Sequence, residues 1–230
     1  AGADRGVVAV VADVPRRRAA LLEALEPVRL GAEVAVIGGA RCDPGALRLR
    51  LAAARGVPCL AMLDYGRLAD VELPEGTHLA LVDPPAHPDQ AAWALHHAAG
   101  RFLHLVWGEQ EAALALAAAE AEWELRPAVT AAWRALRGAP GHAWGPELEA
   151  ALAGDGPVVR HPRAMARALR VLAEIGLAEI GPDGIRPAAR PGRRELSESP
   201  TYRRCAARLA EAREFLGRAA TLDLVAGPSE

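Results

Sequence analysis

Short apolar runs rich in β-branched residues alternate with Ala-, Leu- and Arg-rich segments of helical period in the first half of the chain. This alternation is typical of a parallel β-sheet covered by helices. The runs predict five strands, over residues 7–13, 34–38, 59–64, 79–83 and 102–107. Helices are predicted over 15–26, 44–54 and 88–99, and each of them begins with a proline, which suits a first helical turn.

Residues 65–77 contain two glycines and a proline and are predicted to be a loop, whereas 109–125 is predicted to be a helix. Further helices are predicted over 128–137, 146–153 and 162–175, followed by a hairpin of residues 176–180 and 185–187. Three helices and a short hairpin are the element order of a winged helix. A linker over 188–200 leads to a last helix over 201–218.

These elements predict an α/β protein with a Rossmann-like, mostly parallel sheet flanked by helices, then a winged-helix-like part and a C-terminal helix. We expect the sheet within residues 1–126, with the boundary near Arg126-Pro127. The winged-helix-like part is expected over 127–187, and the linker and last helix over 188–230.

The helix predicted over 162–175 has an apolar face and a polar face, because its residues recur at spacings of three and four. The expected core face is made of Met165, Leu169, Leu172 and Ile175. The opposite face is made of Arg163, Arg167, Arg170 and Glu174. The formal net charge of the chain is only −2, but residues 158–218 contain thirteen arginines against seven acidic residues. The basic charge is therefore local.

Arginines of this basic region are the candidate site for an anionic partner: Arg160, Arg163, Arg167, Arg170, Arg186, Arg193 and Arg194. A guanidinium group pairs bidentately with either phosphate or carboxylate. The same residues would therefore suit single-stranded DNA or an acidic peptide, and a merely solvated basic face is the competing interpretation.

Several catalytic classes lack their residues in this sequence. The chain contains no lysine, which excludes a phosphate loop of the G-x-x-x-x-G-K-[ST] type and a Schiff base. No G-x-G-x-x-G follows either of the first two predicted strands, so we expect no bound dinucleotide. The seven histidines show no metal-ligand spacing. Asp13, Asp64 and Asp83 end predicted strands, where they would serve an enzyme, but turn or cap formation is the favoured interpretation.

The remaining composition predicts a cytoplasmic protein with no membrane contact. No window of about 18 residues is uninterruptedly apolar, and the first residues carry no apolar signal core. The three cysteines are too few and too scattered for a disulfide framework, and they are expected to be reduced thiols. The first residue is Ala1, so we expect a segment of a longer polypeptide.

The most specific string of the chain lies at residues 194–216, RELSESPTYRRCAARLAEAREFL. It resembles the closing segment of bacterial RecJ, the single-stranded-DNA-specific exonuclease family, in which a Leu-x-Glu-Ser-x-x-Tyr pattern precedes the last helix. The matching residues are Leu196, Glu198, Ser199 and Tyr202. The strings LVDPP at 81–85 and FLHLVWG at 102–108 are also similar to RecJ segments, although the first lacks one residue of the usual spacing.

The resemblance implies a non-catalytic C-terminal accessory domain of a RecJ-like 5′–3′ exonuclease that acts in DNA repair and recombination. The Asp-His-His motif of the family's metal-dependent core is absent here. We therefore expect no enzyme activity and no cofactor in this fragment, with Mn²⁺ or Mg²⁺ confined to the missing core. The implied partners are a helicase or the acidic tail of single-stranded-DNA-binding protein, held by Arg167 or Arg170 beside Leu172. Direct binding of single-stranded DNA by the same arginine face is the alternative.

Overall fold

The computed structural model describes residues 6–25, 60–73, 76–138, 146–153, 160, 162–182, 184–189 and 192–219. Two compact units make up the chain. Ala1–Leu116 and Ala212–Glu230 form one, here called the sheet unit, and Ala117–Glu211 form the other, here called the helical unit. The strand predicted over 34–38 and the helix predicted over 44–54 lie outside the described residues.

Within the described residues, four parallel strands form a sheet: β1 (Val7–Val11), β2 (Leu60–Asp64), β3 (His78–Leu81) and β4 (Leu103–Leu105). Their order is β2-β1-β3-β4, so β1 is paired on both sides. Its last four residues are buried, as an uninterrupted apolar run predicts for a strand covered on both faces. Four of the predicted strands are confirmed, with ends that differ by no more than two residues.

The helices of the first half are α1 (Val14–Leu25), α2 (Tyr65–Leu68), α3 (Pro88–Ala98) and α4 (Glu109–Trp123). The predictions for α1, α3 and α4 are confirmed, and the protein is an α/β protein whose parallel sheet is flanked by helices. The loop predicted over 65–77 is wrong for its first four residues. They form α2 because the Asp64 carboxylate accepts a hydrogen bond from the Arg67 N–H at 2.8 Å, and Tyr65 and Leu68 are buried.

The helical unit contains α5 (Leu125–Gly138), α6 (Pro146–Ala153), α7 (Pro162–Glu174) and the antiparallel strands β5 (Ala178–Gly181) and β6 (Gly184–Pro187). Helix α5 packs on α6 and α7, while β5 contacts α7 and β6 contacts α5. One apolar core joins these elements, with Leu136, Leu172 and Ile185 among its buried side chains. The predicted order of three helices and a hairpin is thus present.

Helix α7 buries the face that the sequence predicts, with one exception. Met165, Leu172 and Ile175 are buried, but Leu169 is only partly buried and packs against the edge of the core. Gly176 ends the helix in a left-handed conformation, with φ of 70°. Its N–H donates to Ala173 O and the next N–H donates to Leu172 O, the paired bonds that turn a helix end into a following strand.

A 3₁₀ turn (Leu196–Glu198) precedes α8 (Pro200–Ala219), which confirms the predicted last helix. Helix α8 spans 20 residues, with exposed arginines along its length. Among the described helices, none is both long enough and apolar enough to cross a membrane.

Candidate functional site

Two arginines stand exposed on the outer face of α7. Arg163 and Arg170 are seven residues apart, and the small exposed Ala166 lies between them, so all three share one helical face. No described residue forms an ion pair with Arg163. Arg170 lies close enough to Glu174 to favour the charged form of that carboxylate. The structure therefore brings together two guanidinium groups with little bulk between them.

Arg167, predicted on the same basic face, is instead engaged by the end of α4. Its guanidinium carbon lies 4.1 Å from the ring centroid of Trp123, and its Nη1 lies 2.9 Å from the Glu122 Oε1 atom. The side chains of Arg167 and Glu122 are only 25% and 27% exposed. Because the guanidinium is stacked on a ring and paired with a carboxylate, Arg167 holds helices together and does not belong to the open face.

The other candidate arginines lie on other elements. Arg186 pairs across the hairpin with Glu179, with 2.6 Å between Nη2 and Oε2, and Arg194 pairs with Glu198 at 3.6 Å. Arg193 is exposed, while Arg160 is partly buried and its Nη1 donates to Leu152 O at 3.5 Å. Of the seven predicted residues, the structure places Arg163 and Arg170 together as exposed cations on one helix.

The string over residues 194–216, on which the expected resemblance rests, builds the beginning of α8. Glu198 accepts a hydrogen bond from the Glu195 N–H at 3.0 Å, and the Ser199 hydroxyl accepts one from the Tyr202 N–H at 3.0 Å. Ser199 is therefore the N-cap of α8. Leu196 and Tyr202 pack against the core of the helical unit. All four matched residues thus dock and start the last helix, and none of them lies on the exposed face of α7.

Glu174 anchors that helix start, which the sequence did not indicate. Its Oε2 atom accepts from the Ser199 hydroxyl at 2.5 Å and from the Thr201 N–H at 3.0 Å, and its Oε1 atom accepts from the Thr201 hydroxyl at 2.7 Å. Desolvation acts to raise the pKa of Glu174, but these hydrogen bonds and the nearby Arg170 hold it below the usual range. Its helical spacing placed Glu174 on the basic face and gave no sign of a partner 25 residues away.

The strand-end aspartates are all engaged within the sheet unit. Asp13 accepts from the Arg16 N–H at 3.2 Å and Asp64 from the Arg67 N–H at 2.8 Å, which confirms both as helix caps. Asp83, in the string LVDPP, is completely buried and accepts from the Ala12 N–H at 2.8 Å. It also pairs with Arg17, with 3.0 Å from Nε to Oδ1.

Asp83 is thus the centre of a buried polar cluster. The Asp83 carboxylate raises the pKa of the Arg17 guanidinium, mainly by its hydrogen bonds. The Tyr65 hydroxyl donates to the Asp83 carbonyl at 2.7 Å, and burial raises the pKa of Tyr65 well above its usual value. Asp83 therefore connects the end of β3 with the end of β1, with α1 and with α2, and its carboxylate already has protein donors.

One pair of histidines could not be predicted from the sequence. His78 on β3 and His104 on β4 have stacked rings, with 2.9 Å between Nδ1 of the first and Nε2 of the second. The residues are 26 positions apart, and only strand pairing brings them together. Within the described part of the chain, no group of three or more His, Cys, Asp or Glu side chains is placed to hold a metal ion.

Comparison of the chain with protein-family models, with curated proteins and with solved structures finds no match. Function is therefore inferred from the residues themselves. Their chemistry is that of an anion site: two exposed guanidinium groups on one helix face, each able to form a bidentate pair with a carboxylate or phosphate.

Proposed function

We propose that the helical unit is a winged helix whose third helix, α7, binds an acidic peptide, and that the chain is a non-catalytic accessory domain of a RecJ-like exonuclease. The order and packing of α5, α6, α7 and the β5–β6 hairpin support the winged helix. The resemblance of residues 81–85, 102–108 and 194–216 to RecJ supports the parent enzyme and a role in DNA repair and recombination. The partner would then be the acidic tail of single-stranded-DNA-binding protein or a helicase.

The observation that carries the proposal is the exposure of Arg163 and Arg170 on one face, while Arg167, Arg186 and Arg194 are paired with carboxylates. Two forked guanidinium groups match two carboxylates of a short acidic segment, and such charge-assisted pairs are about twice as strong as neutral hydrogen bonds. Leu169, which is partly buried and packs against the core of the helical unit, directly precedes Arg170 on the same helix.

Direct binding of single-stranded DNA is the second candidate, since the same groups pair with phosphate. The affinity for single-stranded DNA rises with the number of phosphates that the protein neutralises. This face of α7 offers two exposed arginines rather than a continuous basic groove. Acidic residues also lie beside it, including Glu174 at the end of α7 and Glu122 against Arg167. These carboxylates repel either anion, so the preference for a short acidic peptide depends on the small number of exposed arginines, which match a short anionic segment better than an extended phosphate backbone.

The test is a fluorescence anisotropy titration with two labelled probes, an acidic peptide that ends in an apolar residue with a free carboxylate, and a short single-stranded oligonucleotide. The wild-type chain is expected to bind the peptide. The double variant Arg163→Glu/Arg170→Glu should lose at least about tenfold in peptide affinity, because two charge-assisted pairs become repulsive.

A matched control is Arg126→Glu/Arg134→Glu, which makes the same change in charge at two exposed positions of α5. It should leave peptide affinity within about twofold if the α7 face is the site, since only long-range electrostatics changes. Equal losses in both double variants would show a non-specific charge effect. A strong preference for the oligonucleotide, with a salt slope that falls by roughly 0.7 for each removed contact, would support the DNA alternative.

A further inference from the structure

The large exposed apolar side chains of the described residues are concentrated in the sheet unit. Five large apolar residues are exposed, and four of them lie between positions 95 and 106: Leu95, Phe102, Leu105 and Val106, at 56%, 66%, 41% and 56%. Three of these four belong to β4 and its flanking residues. A contiguous exposed apolar segment of this kind marks an interaction site more often than a solvated surface.

Strand β4 lies at one edge of the described sheet. Phe102 O accepts from the Leu79 N–H and the Val106 N–H donates to Leu81 O, both at 2.9 Å, so the backbone groups of 102 and 106 point toward β3. Backbone groups alternate along a strand. The N–H and C=O groups of Leu103 and Leu105 therefore point away from β3, toward the side of β4 on which the described residues form no further strand.

The side chains alternate in the same way. Phe102, His104 and Val106 share one face of the strand, and Leu103 and Leu105 share the other. The segment FLHLV is therefore symmetric about His104 in its apolar character, with leucines on either side and large apolar residues beyond them. Residues 102–107 contain no charged side chain and no proline, which are the devices that usually protect a strand edge.

We propose that this edge pairs with the same edge of a second copy of the chain, as antiparallel strands related by a two-fold axis at His104. In that register, Leu103 lies opposite Leu105 of the second copy, and Phe102 lies opposite its Val106. Because Leu103 and Leu105 carry the outward backbone groups, each such pair exchanges two N–H···O bonds. The two four-stranded sheets become one continuous sheet.

The occupant is a second copy rather than another peptide because the edge is complementary to itself. Every side chain in the symmetric register meets an apolar partner except His104, which meets its own equivalent. Within the paired segment, two copies bring no like carboxylates or guanidinium groups together, since residues 102–107 contain none. The proposal concerns the sheet unit and is independent of the peptide site proposed on α7.

Such a short strand edge makes a small interface, so the dimer is expected to be weak, with a dissociation constant on the order of 100 µM. Sedimentation equilibrium from about 10 µM to about 1 mM chain should show the mass rising from 24.1 kDa toward twice that value. A mass that stays at 24.1 kDa throughout this range overturns the proposal.

Two lysine substitutions separate strand pairing from general stickiness. Val106→Lys puts charges of the same sign on the dimer edge and should abolish self-association, whereas Leu95→Lys changes a residue of equal exposure on α3 and should not. Both residues are more than half exposed, so both variants are expected to fold, and circular dichroism checks this. Loss of association in both variants, or in Leu95→Lys alone, would place the contact on α3 and refute the strand register.

A cross-linking pair tests the two-fold axis. Opposed residues of an antiparallel pair have Cβ atoms about 4.5–5.5 Å apart, close to the distance that a disulfide needs. His104→Cys should therefore form a covalent dimer when oxidised with diamide, beyond the level of the wild-type chain with its three native thiols. Phe102→Cys should not, because its equivalent would lie about 14 Å away. Cross-linking of Phe102→Cys rather than His104→Cys would disprove the register.

Discussion

Replacing Arg167 by alanine removes a cation from a contact that joins α7 to the end of α4. The guanidinium lies 4.1 Å from the Trp123 ring centroid and 2.9 Å from a Glu122 carboxylate oxygen. Arg163, one helical turn earlier, is the matched control, because it is exposed and forms no ion pair with a described residue. Both residues are arginines on α7, and they differ in the side chains that they contact.

The expected losses follow from these contacts. A partly desolvated cation–π pair is worth about 0.5–1 kcal/mol or somewhat more, and an ion pair at this exposure about 0.2–1 kcal/mol. Arg167→Ala should therefore lower the free energy of unfolding by about 1–2 kcal/mol. For a chain of this size that corresponds to a fall in Tm of about 2–8 °C. Arg163→Ala should stay within about 0.5 kcal/mol of wild type, as surface substitutions usually do.

Urea denaturation of both alanine variants measures these losses, and a double-mutant cycle with Glu122→Gln isolates the ion pair. The cycle should give a coupling energy of about 0.3–1 kcal/mol between positions 122 and 167. In the peptide titration we expect the order of the two variants to be reversed, because Arg163→Ala should weaken peptide binding more than Arg167→Ala does. Equal losses of stability at positions 163 and 167 would refute the assignment of Arg167 to a structural role.

Two further predictions concern buried or anchoring carboxylates. Asp83→Asn should lower the free energy of unfolding, measured by urea denaturation, by about 2–3 kcal/mol because the Arg17 guanidinium loses its charged acceptor. Asp64→Asn should change it by less than about 0.5 kcal/mol, since asparagine caps a helix nearly as well as aspartate. Similar losses in both variants would contradict the role of Asp83. Glu174→Gln should cost about 1 kcal/mol at neutral pH, as it weakens three hydrogen bonds at an exposed site. The folded pKa of Glu174 is below its ordinary 4.5, so its contribution is present above that pH and is lost as the pH falls through the folded value. Denaturation at pH 7 and at about pH 3 should therefore show the difference from wild type shrinking in acid, and a difference independent of pH would disprove the ionic anchor.

The order of the elements was available from the sequence because its signals are local. Apolar runs predicted four of the described strands, and prolines in first turns supported the predictions of α1 and α3. The wrong prediction at α2 also has a local cause. Gly66 is typical of a loop, but Asp64, one position before the helix, caps it and favours the helical turn. Asp13, which follows β1, and Asp64, the last residue of β2, are helix caps as predicted, for the same reason.

The tertiary structure alone decided which arginines remain exposed as cations. Arg163, Arg167 and Arg170 are equivalent in helical spacing, yet Arg167 meets Glu122, a residue 45 positions away, because the end of α4 lies against α7 at this point. In the same way Asp83 meets Arg17 across 66 positions, and Ser199 meets Glu174 across 25. Periodicity fixes the face on which a side chain lies, whereas its partner depends on how helices and strands distant in the sequence pack together.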